Sequence, residues 1–452
     1  MTSPIVRFAP SPTGRLHVGN VRTALINYLF AKGQNGKFLL RIDDTDLERS
    51  TKDYEDGLKT DLNWLGITWD DTFNQSDRFG NYDAAVEKLK SAGLLYACYE
   101  TPEELERKRK IALSRGRPPV YDRSGLSLSD TEIKAFEAEG RTPHWRFKLS
   151  GDRVEWNDLV RGPQSIDTSS VSDPILVRGD GSYLYTLPSV VDDIEYGITH
   201  VVRGEDHVTN SGAQIEIFRA LGGTSPDMAH TPLLIGADGQ GLSKRLGSLS
   251  MMELSKKGIE PMAIASLLAK IGTSDNVELK PSLEVLCEEF SFDKIGRAPA
   301  RFDEADLYKL NAAILQEMEP SLAVAKLAEL EGFHTIGAPE LFWDTIKGNI
   351  STISEANDWI EVVTGKIQDT DLSEDQDYLR AALEHLPSGA FDLETWSSWT
   401  GELKAATGRK GRGLFMPLRK ALTGLERGPE MNRMIVLLGE ETCRARLEKA
   451  IV

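Results

Sequence analysis

The sequence predicts a mixed α/β fold: a mostly parallel sheet flanked by helices, interrupted by an α+β insertion and followed by an all-α C-terminal region. Three observations predict it. Residues 1–100 alternate strand-like and helix-like runs, the pattern of parallel strands joined by helical crossovers. Residues 101–174 lose that alternation in favour of a charged helix and short pieces punctuated by Gly and Pro. From about Pro261 onward, apolar residues recur at helical spacing almost to Val452.

A strand is expected over Ile5–Ala9, then a Gly- and Pro-rich turn, then a helix over Val21–Ala31. Lys37–Ile42 reads as the next strand and Lys52–Leu65 as the next helix. Inside the insertion, Pro102–Arg115 reads as the charged helix, with β pieces at His144–Leu149, Val154–Asn157 and Gln164–Asp167. The α/β character returns at Ile175–Val177 and Thr186–Val191, and continues with Val201–Arg203 and a helix over Ser211–Leu221. Glu355–Thr364, Asp375–His385 and Trp396–Thr407 follow with helical apolar spacing. The divisions expected are 1–100 and 175–235 for two halves of one α/β domain, 101–174 for the insertion, 236–310 for a connecting domain and 311–452 for the helical region.

A chain of 452 residues is too long for one core, so about three to four domains are expected. The hydrophobic share of 40% and charged share of 27% are those of a folded soluble protein. No apolar run is long enough for a membrane span, and Met1–Pro4 lacks the basic and apolar regions of a signal peptide. Cys98, Cys287 and Cys443 are far apart and odd in number, which suggests neither a disulfide framework nor a metal site and favours a reducing cytoplasm.

The net charge of −17 argues, as a sum, against a nucleic-acid partner. Its distribution argues less strongly. Lys404, Arg409, Lys410, Arg412, Arg419 and Lys420 fall in a stretch without one acidic residue. A basic segment on an acidic body is compatible with a protein that touches a polyanion at selected places. A solvated basic loop is the alternative.

The run Pro10-Ser11-Pro12-Thr13-Gly14-Arg15-Leu16-His17-Val18-Gly19-Asn20 links the first strand to the first helix. A turn at that point of an open α/β sheet is where nucleotides bind. The helix N-terminus is expected to offer free amides and a positive dipole end to phosphate. His17 and Asn20 add side-chain donors, and the glycines allow close approach. The run is neither a dinucleotide Gly-rich turn nor a phosphate loop ending in Gly-Lys-Ser/Thr.

His17-Val18-Gly19-Asn20 resembles the His-Ile-Gly-His signature of class I aminoacyl-tRNA synthetases, and Arg7–Gly14 narrows the resemblance to glutamyl-tRNA synthetases of bacterial type. Leu40–Asp46, Asp61–Gly66, Asp192-Asp193, Val202–His207, Leu242–Arg245 and Gly413–Gly424 match the family in the same order. The resemblance implies a Rossmann-like catalytic domain, an inserted domain that holds the tRNA acceptor end, and a helical anticodon-binding region. It also implies the reaction: a glutamate carboxylate attacks the α-phosphate of ATP, and the glutamyl group passes to the terminal ribose of tRNA. ATP brings Mg²⁺ with it. The family makes a cytoplasmic monomer the expectation.

Residue by residue, the resemblance assigns His17 and Lys244 to catalysis. ATP falls to Pro10, Gly14, Gly19, Asn20, Ser243 and Arg245 besides these two. Arg7, Tyr185 and Arg203 fall on positions that hold the substrate's carboxylates, Ala9 and Ser11 on positions lining the amino-acid pocket, and Asp43 on the one that meets the α-ammonium. An arginine fork grips a carboxylate through two parallel hydrogen bonds, which lysine cannot. This sequence departs from the family at three places: Gly241 replaces the first Lys of the Lys-Met-Ser-Lys-Ser loop, Asp43 replaces a Glu, and Ser189 replaces an Asn. Arg297, Arg301, Arg409, Lys410, Arg412 and Phe415 are the candidates for tRNA contact, since single-stranded bases call for cations and stacking surfaces. Some relatives hold zinc in the insertion. Cys98 has no Cys or His companion in 101–130, so no zinc is expected.

Two readings of the tRNA partner stand side by side, tRNA-Glu alone or tRNA-Glu with tRNA-Gln. A tRNA-binding paralogue with weak catalysis is the alternative to the ligase, kept open by Gly241 and Asp43.

Overall fold

The computed structural model describes residues 3–242, 249–365 and 367–451. Ser243, Lys244 and Arg245 lie outside the described residues. Chain order begins β1 (Ile5–Phe8), α1 (Val18–Gly33), β2 (Lys37–Ile42), α2 (Lys52–Trp64) and β3 (Asp71–Asn74). The three strands form a parallel sheet of order β1-β2-β3, with Arg7 level with Leu39. α1 starts at Val18, earlier than the apolar pattern indicates, because His17 caps it: ring Nδ1 accepts from the Gly19 N–H at 3.1 Å. The helix is buried on most sides (Val21, Ala24, Leu25, Ile26, Leu29 and Phe30), so its apolar residues show no single stripe.

The chain continues through α3 (Phe79–Ser91), β4 (Leu95–Cys98), α4 (Pro102–Ser114), α5 (Asp130–Ala138), β5 (His144–Phe147), β6 (Arg153–Asp158), β7 (Gly162–Asp167) and β8 (Ile175–Val177). Capping boxes open both charged helices, Thr101 with Glu104 and Ser129 with Glu132. Strands β4, β5 and β8 form an antiparallel sheet. Next come α6 (Thr186–Glu195), which takes up Thr186–Val191, then β9 (His200–Gly204), α7 (Val208–Ala220) and β10 (Asp227–Thr231).

β6 and β7 form a hairpin, and β6 also lies beside β10, giving a four-stranded sheet of order β7-β6-β10-β9. Residues 153–167 thus share a sheet with the α/β segment that follows them. The two sheets meet where the Thr199 N–H donates to Ile5 O at 2.9 Å. The direction of chain progression reverses there, between β1 and β9. In open α/β sheets, the crevice at such a switch point is where ligands sit.

β11 (Leu234–Gly236), α8 (Met251–Lys256), α9 (Pro261–Lys270), α10 (Leu283–Glu289) and β12 (Ala300–Phe302) follow, with β11 and β12 paired in parallel. The remainder is helical: α11 (Glu304–Glu317), α12 (Pro320–Leu327), α13 (Pro339–Ile346), α14 (Ala356–Thr364), α15 (Gln376–Glu384), α16 (Thr395–Thr407), α17 (Arg412–Thr423) and α18 (Met431–Ala450). Contacts divide the chain into two compact units, 1–253 with 264–303 and 254–263 with 304–452. The second unit packs around Trp343 and Trp399, both fully buried. Their indole N–H groups donate to Met318 O and Ala382 O at 3.3 and 3.1 Å, so burial strands neither donor.

Candidate active site

A cavity of about 520 Å³ opens at the ends of β1 and β9 and beside the start of α1. Of the residues singled out in the sequence, Arg7, Ala9, Pro10, Ser11 and His17 line it. So do Gly19, Asn20, Tyr185 and Arg203. Gly14, Asp43 and Ser189 do not. Leu242 reaches the cavity, but the loop residues after it lie outside the described residues.

The β1–α1 turn delivers the first group. Burial lowers the pKa of His17, so the neutral ring is favoured. With Nδ1 accepting from Gly19, Nε2 carries the ring's proton and is its available donor. A side chain at position 19 would place its Cβ 2.9 Å from His17 Cε1, which explains the glycine there. The row of free amides expected at this helix end is shorter than the sequence suggests. Val18 N–H is already given to Leu249 O at 3.2 Å and Gly19 N–H to His17.

Two buried arginines reach the cavity with different partners. Arg7 is fork-paired to Asp193, Nε to Oδ1 at 2.9 Å and Nη2 to Oδ2 at 3.2 Å. Arg203 has only neutral partners: His230 Nε2 at 3.1 Å, the Tyr185 hydroxyl at 3.2 Å and Ser211 Oγ at 2.7 Å. Among the described residues no carboxylate lies within ion-pair distance of Arg203. Burial pulls its pKa down, as it must for a cation left unneutralised. The same field acts on Tyr185: burial raises its pKa, but Arg203, Arg7 and Arg41 outweigh that and lower it. This end of the cavity is built to receive negative charge.

Asp43 and Ser189 sit behind the wall, both on Arg41. Arg41 is fully buried and forks onto Asp43, Nε to Oδ1 at 2.6 Å and Nη2 to Oδ2 at 3.2 Å. It also reaches Ser189 Oγ at 3.0 Å and Asp193 at 3.0 Å. Burial raises Asp43 to about 6 despite Arg41. Arg41 and Asp193 stand within stretches that match the family, but the sequence alone assigns neither a task. It misses Arg22, also on the cavity wall, which donates to Pro232 O at 2.7 Å and Ile271 O at 3.2 Å. The available signal was an arginine inside a helix whose other charged residue, Lys32, stands in its last turn.

The zinc question turns on Cys98, Glu100 and His144, whose ligand atoms lie within 4.8 Å of one another. Strand pairing sets Cys98 opposite His144, a companion that lies beyond the stretch read for one. Glu100 Oε1 already takes Ser124 Oγ at 2.6 Å, the Tyr121 hydroxyl at 2.8 Å and the Lys108 ammonium at 3.2 Å. Glu100 Oε2 and His144 Nε2 have no hydrogen-bond partner among the described residues. Burial pushes the Cys98 thiol up to about 11. A structural zinc takes four ligands with its thiols deprotonated. Three donors, one a thiol with a high pKa and one tied to an ammonium, do not fit it.

The tRNA candidates differ in how free they are. Arg297 Nε donates to Val160 O at 3.3 Å, and Arg301 is exposed on β12. Arg409 is engaged internally, ion-paired to Asp375 and placed 4.4 Å from the centre of the Tyr378 ring. Lys410, Arg412 and Phe415 are exposed.

The model of the catalytic domain of class I tRNA synthetases (E and Q) matches residues 5–307, and that of an anticodon-binding domain matches 306–451. A protein from Hyphomonas neptunium named glutamate–tRNA ligase 2 is 66% identical over 99% of this chain and 100% of its own length. One from Maricaulis maris named glutamate–tRNA ligase 1 is 58% identical over 98% of each chain. The solved glutamate–tRNA synthetase of Elizabethkingia anophelis superposes with a TM-score of 0.88 at 28% identity over the whole of both chains. The glutamate tRNA ligase of Elizabethkingia meningosepticum, solved with its amino acid, gives 0.87 at 27% identity over 99% of each. The chain belongs to the class I tRNA synthetases of the glutamate and glutamine branch.

Proposed function

We propose that this chain is a glutamate–tRNA ligase: it activates L-glutamate with ATP, Mg²⁺ accompanying the nucleotide, and transfers the glutamyl group to the 3′ end of tRNA-Glu. The observation that carries the reading is Arg203, a buried cation that faces the cavity with no anion paired to it among the described residues. A substrate carboxylate supplies the missing charge, and a neutral analogue leaves it unpaired, so glutamine is rejected. Arg7 lines the same cavity for the second carboxylate, and the Tyr185 hydroxyl is hydrogen-bonded to Arg203. Ala9 and Ser11 line the amino-acid pocket. Asp43 and Ser189 act on it through Arg41.

In the first step the carboxylate oxygen attacks the α-phosphorus and pyrophosphate leaves. Positioning two anions and neutralising their charge are the chain's main tasks. His17 Nε2–H donates to the phosphate, with Pro10, Gly14, Gly19 and Asn20 shaping the nucleotide site. Ser243, Lys244 and Arg245 supply polar and cationic contacts to the outer phosphates. The insertion at 101–174 receives the acceptor end, the helical region from 311 reads the anticodon through Lys410, Arg412 and Phe415, and Arg297 and Arg301 give further tRNA contacts on the first unit. We assign a cytoplasmic monomer without zinc. No helix among the described residues is long and apolar enough to cross a membrane.

ATP–pyrophosphate exchange, run with and without tRNA and with glutamate or glutamine, tests the reading. Glutamate-dependent exchange supports it, and its absence in every arm refutes it in favour of the tRNA-binding paralogue. Charging tRNA-Glu and tRNA-Gln transcripts side by side fixes the range of partners. Lys244→Ala retaining the parent rate would remove that residue from the assignment.

A further inference from the structure

His230 lies fully buried on β10, and Asp158 fully buried at the end of β6. The ring Nδ1 stands 2.5 Å from Asp158 Oδ2, and Nε2 faces Arg203 Nε at 3.1 Å. An arginine offers only N–H donors. The nitrogen facing it must therefore be a bare acceptor, and the proton of the imidazole must sit on Nδ1, toward Asp158. The carboxylate holds that tautomer in place, as a second partner does for an orienting histidine elsewhere. Asp158 is itself fixed, since its Oδ1 accepts from the N–H groups of Val160, Arg161 and His230 at 3.0, 2.9 and 3.1 Å.

The contrast with Arg7 gives the arrangement its meaning. Asp193 orients Arg7 by meeting its charge directly. His230 orients Arg203 while placing no charge against it, and the Asp158 carboxylate stays on the far side of the ring. We propose that Asp158 and His230 form a positioning pair that fixes the plane of the Arg203 guanidinium and keeps its charge available to the substrate carboxylate. The pair also ties the turn at 158–161, between β6 and β7, to the amino-acid pocket. The proposal rests on the glutamate-ligase reading of the cavity.

Steady-state aminoacylation by the full chain tests it, with separate KM values for glutamate and ATP. In His230→Ala, Arg203 Nε loses its acceptor while Nη1 and Nη2 keep theirs, and the glutamate KM should rise ~10-fold or more while the ATP KM stays within ~2-fold. His230→Gln, whose amide oxygen still accepts from Arg203 Nε, should recover part of the loss. Asp158→Asn, which keeps an oxygen for Nδ1–H, should fall between them. If His230→Ala does not fold, the other two variants decide by the same measure. Glutamate KM values within ~2-fold of the parent, or a fall in kcat with both KM values unchanged, would overturn the proposal. A parent chain unable to form glutamyl-tRNA would bring down the ligase reading and the pair together. An active parent with indifferent variants brings down the pair alone.

Discussion

Asp193 takes both hydrogen bonds of the Arg7 fork, and the two side chains are buried together, Arg7 on the cavity wall and Asp193 behind it. The same carboxylate accepts from Arg41 Nη1 at 3.0 Å, and Arg41 in turn holds Asp43. Two cations and two anions thus alternate in one buried chain, each oriented by the next. Such an array adds little net stability over an apolar core, but breaking it by removing one partner is costly.

Asp193→Asn should break it. The amide keeps one acceptor oxygen where three hydrogen bonds converge, and its NH₂ meets a guanidinium. We expect a loss of about 3–5 kcal/mol in a urea melt. The glutamate KM should rise as Arg7 loses its orientation. A loss below about 1 kcal/mol with an unchanged KM would show that Arg7 is held by other contacts.

The alternation of β1, α1 and β2 was legible because each element is set by local pattern, and the His17–Asn20 signature at the start of α1 because its residues are consecutive. Arg7, Tyr185 and Arg203 came through resemblance alone, and they do line one cavity. The Asp158–His230 pair was not legible, because its members lie on different strands and neither stands in a motif with the other. Short strands also do not name their neighbours. Val154–Asn157 was readable as β, but nothing in it announces that β6 lies beside β10. Asp43 shows a different limit. Its place in the motif pointed to the substrate's ammonium, whereas its carboxylate is occupied by Arg41 two residues earlier on the same strand end.

Asp61, in α2, should make stability depend on pH. Burial raises its pKa from 3.8 to about 6, against a weaker pull from Arg15, and Oδ2 has no hydrogen-bond partner among the described residues. Between those values the folded chain binds a proton that the unfolded chain has released. Stability therefore declines as pH rises from about 4 through about 6. Asp61→Asn removes the penalty, which the displacement sets at no more than ~3 kcal/mol. The variant should be the more stable at about pH 8 and no more stable than the parent near pH 4. Thermal melts at the two pH values decide it.

Two Gly→Ala substitutions in helices should have opposite signs. Alanine gains up to about 1 kcal/mol of helix propensity over glycine. At Gly33, the last residue of α1, a Cβ would meet the Cys287 carbonyl oxygen at 2.5 Å. That atom belongs to the backbone of α10 and cannot step aside, so we expect a net loss of about 1–3 kcal/mol. At Gly80 in α3 an added Cβ would meet nothing within 4 Å among the described residues, and about 0.5–1 kcal/mol should be gained. Denaturant midpoints that move in the same direction would refute the steric argument.

Arg409 and Lys410, adjacent in the basic stretch, should separate stability from tRNA binding. Pro417 inside α17 has no N–H to give to Gly413, four residues earlier, and Arg409 Nη1 donates to that carbonyl at 3.3 Å while pairing with Asp375. Arg409→Ala should therefore lower the melting temperature, since it strips a partner from both groups. Lys410 is exposed and makes no such contact among the described residues. Lys410→Ala should leave the melt unchanged, weaken tRNA affinity, and reduce the slope of log affinity against log salt by about 1. If Lys410→Ala binds tRNA with the parent's affinity and slope, this part of the basic stretch is a solvated loop, and the anticodon is read elsewhere on the helical unit.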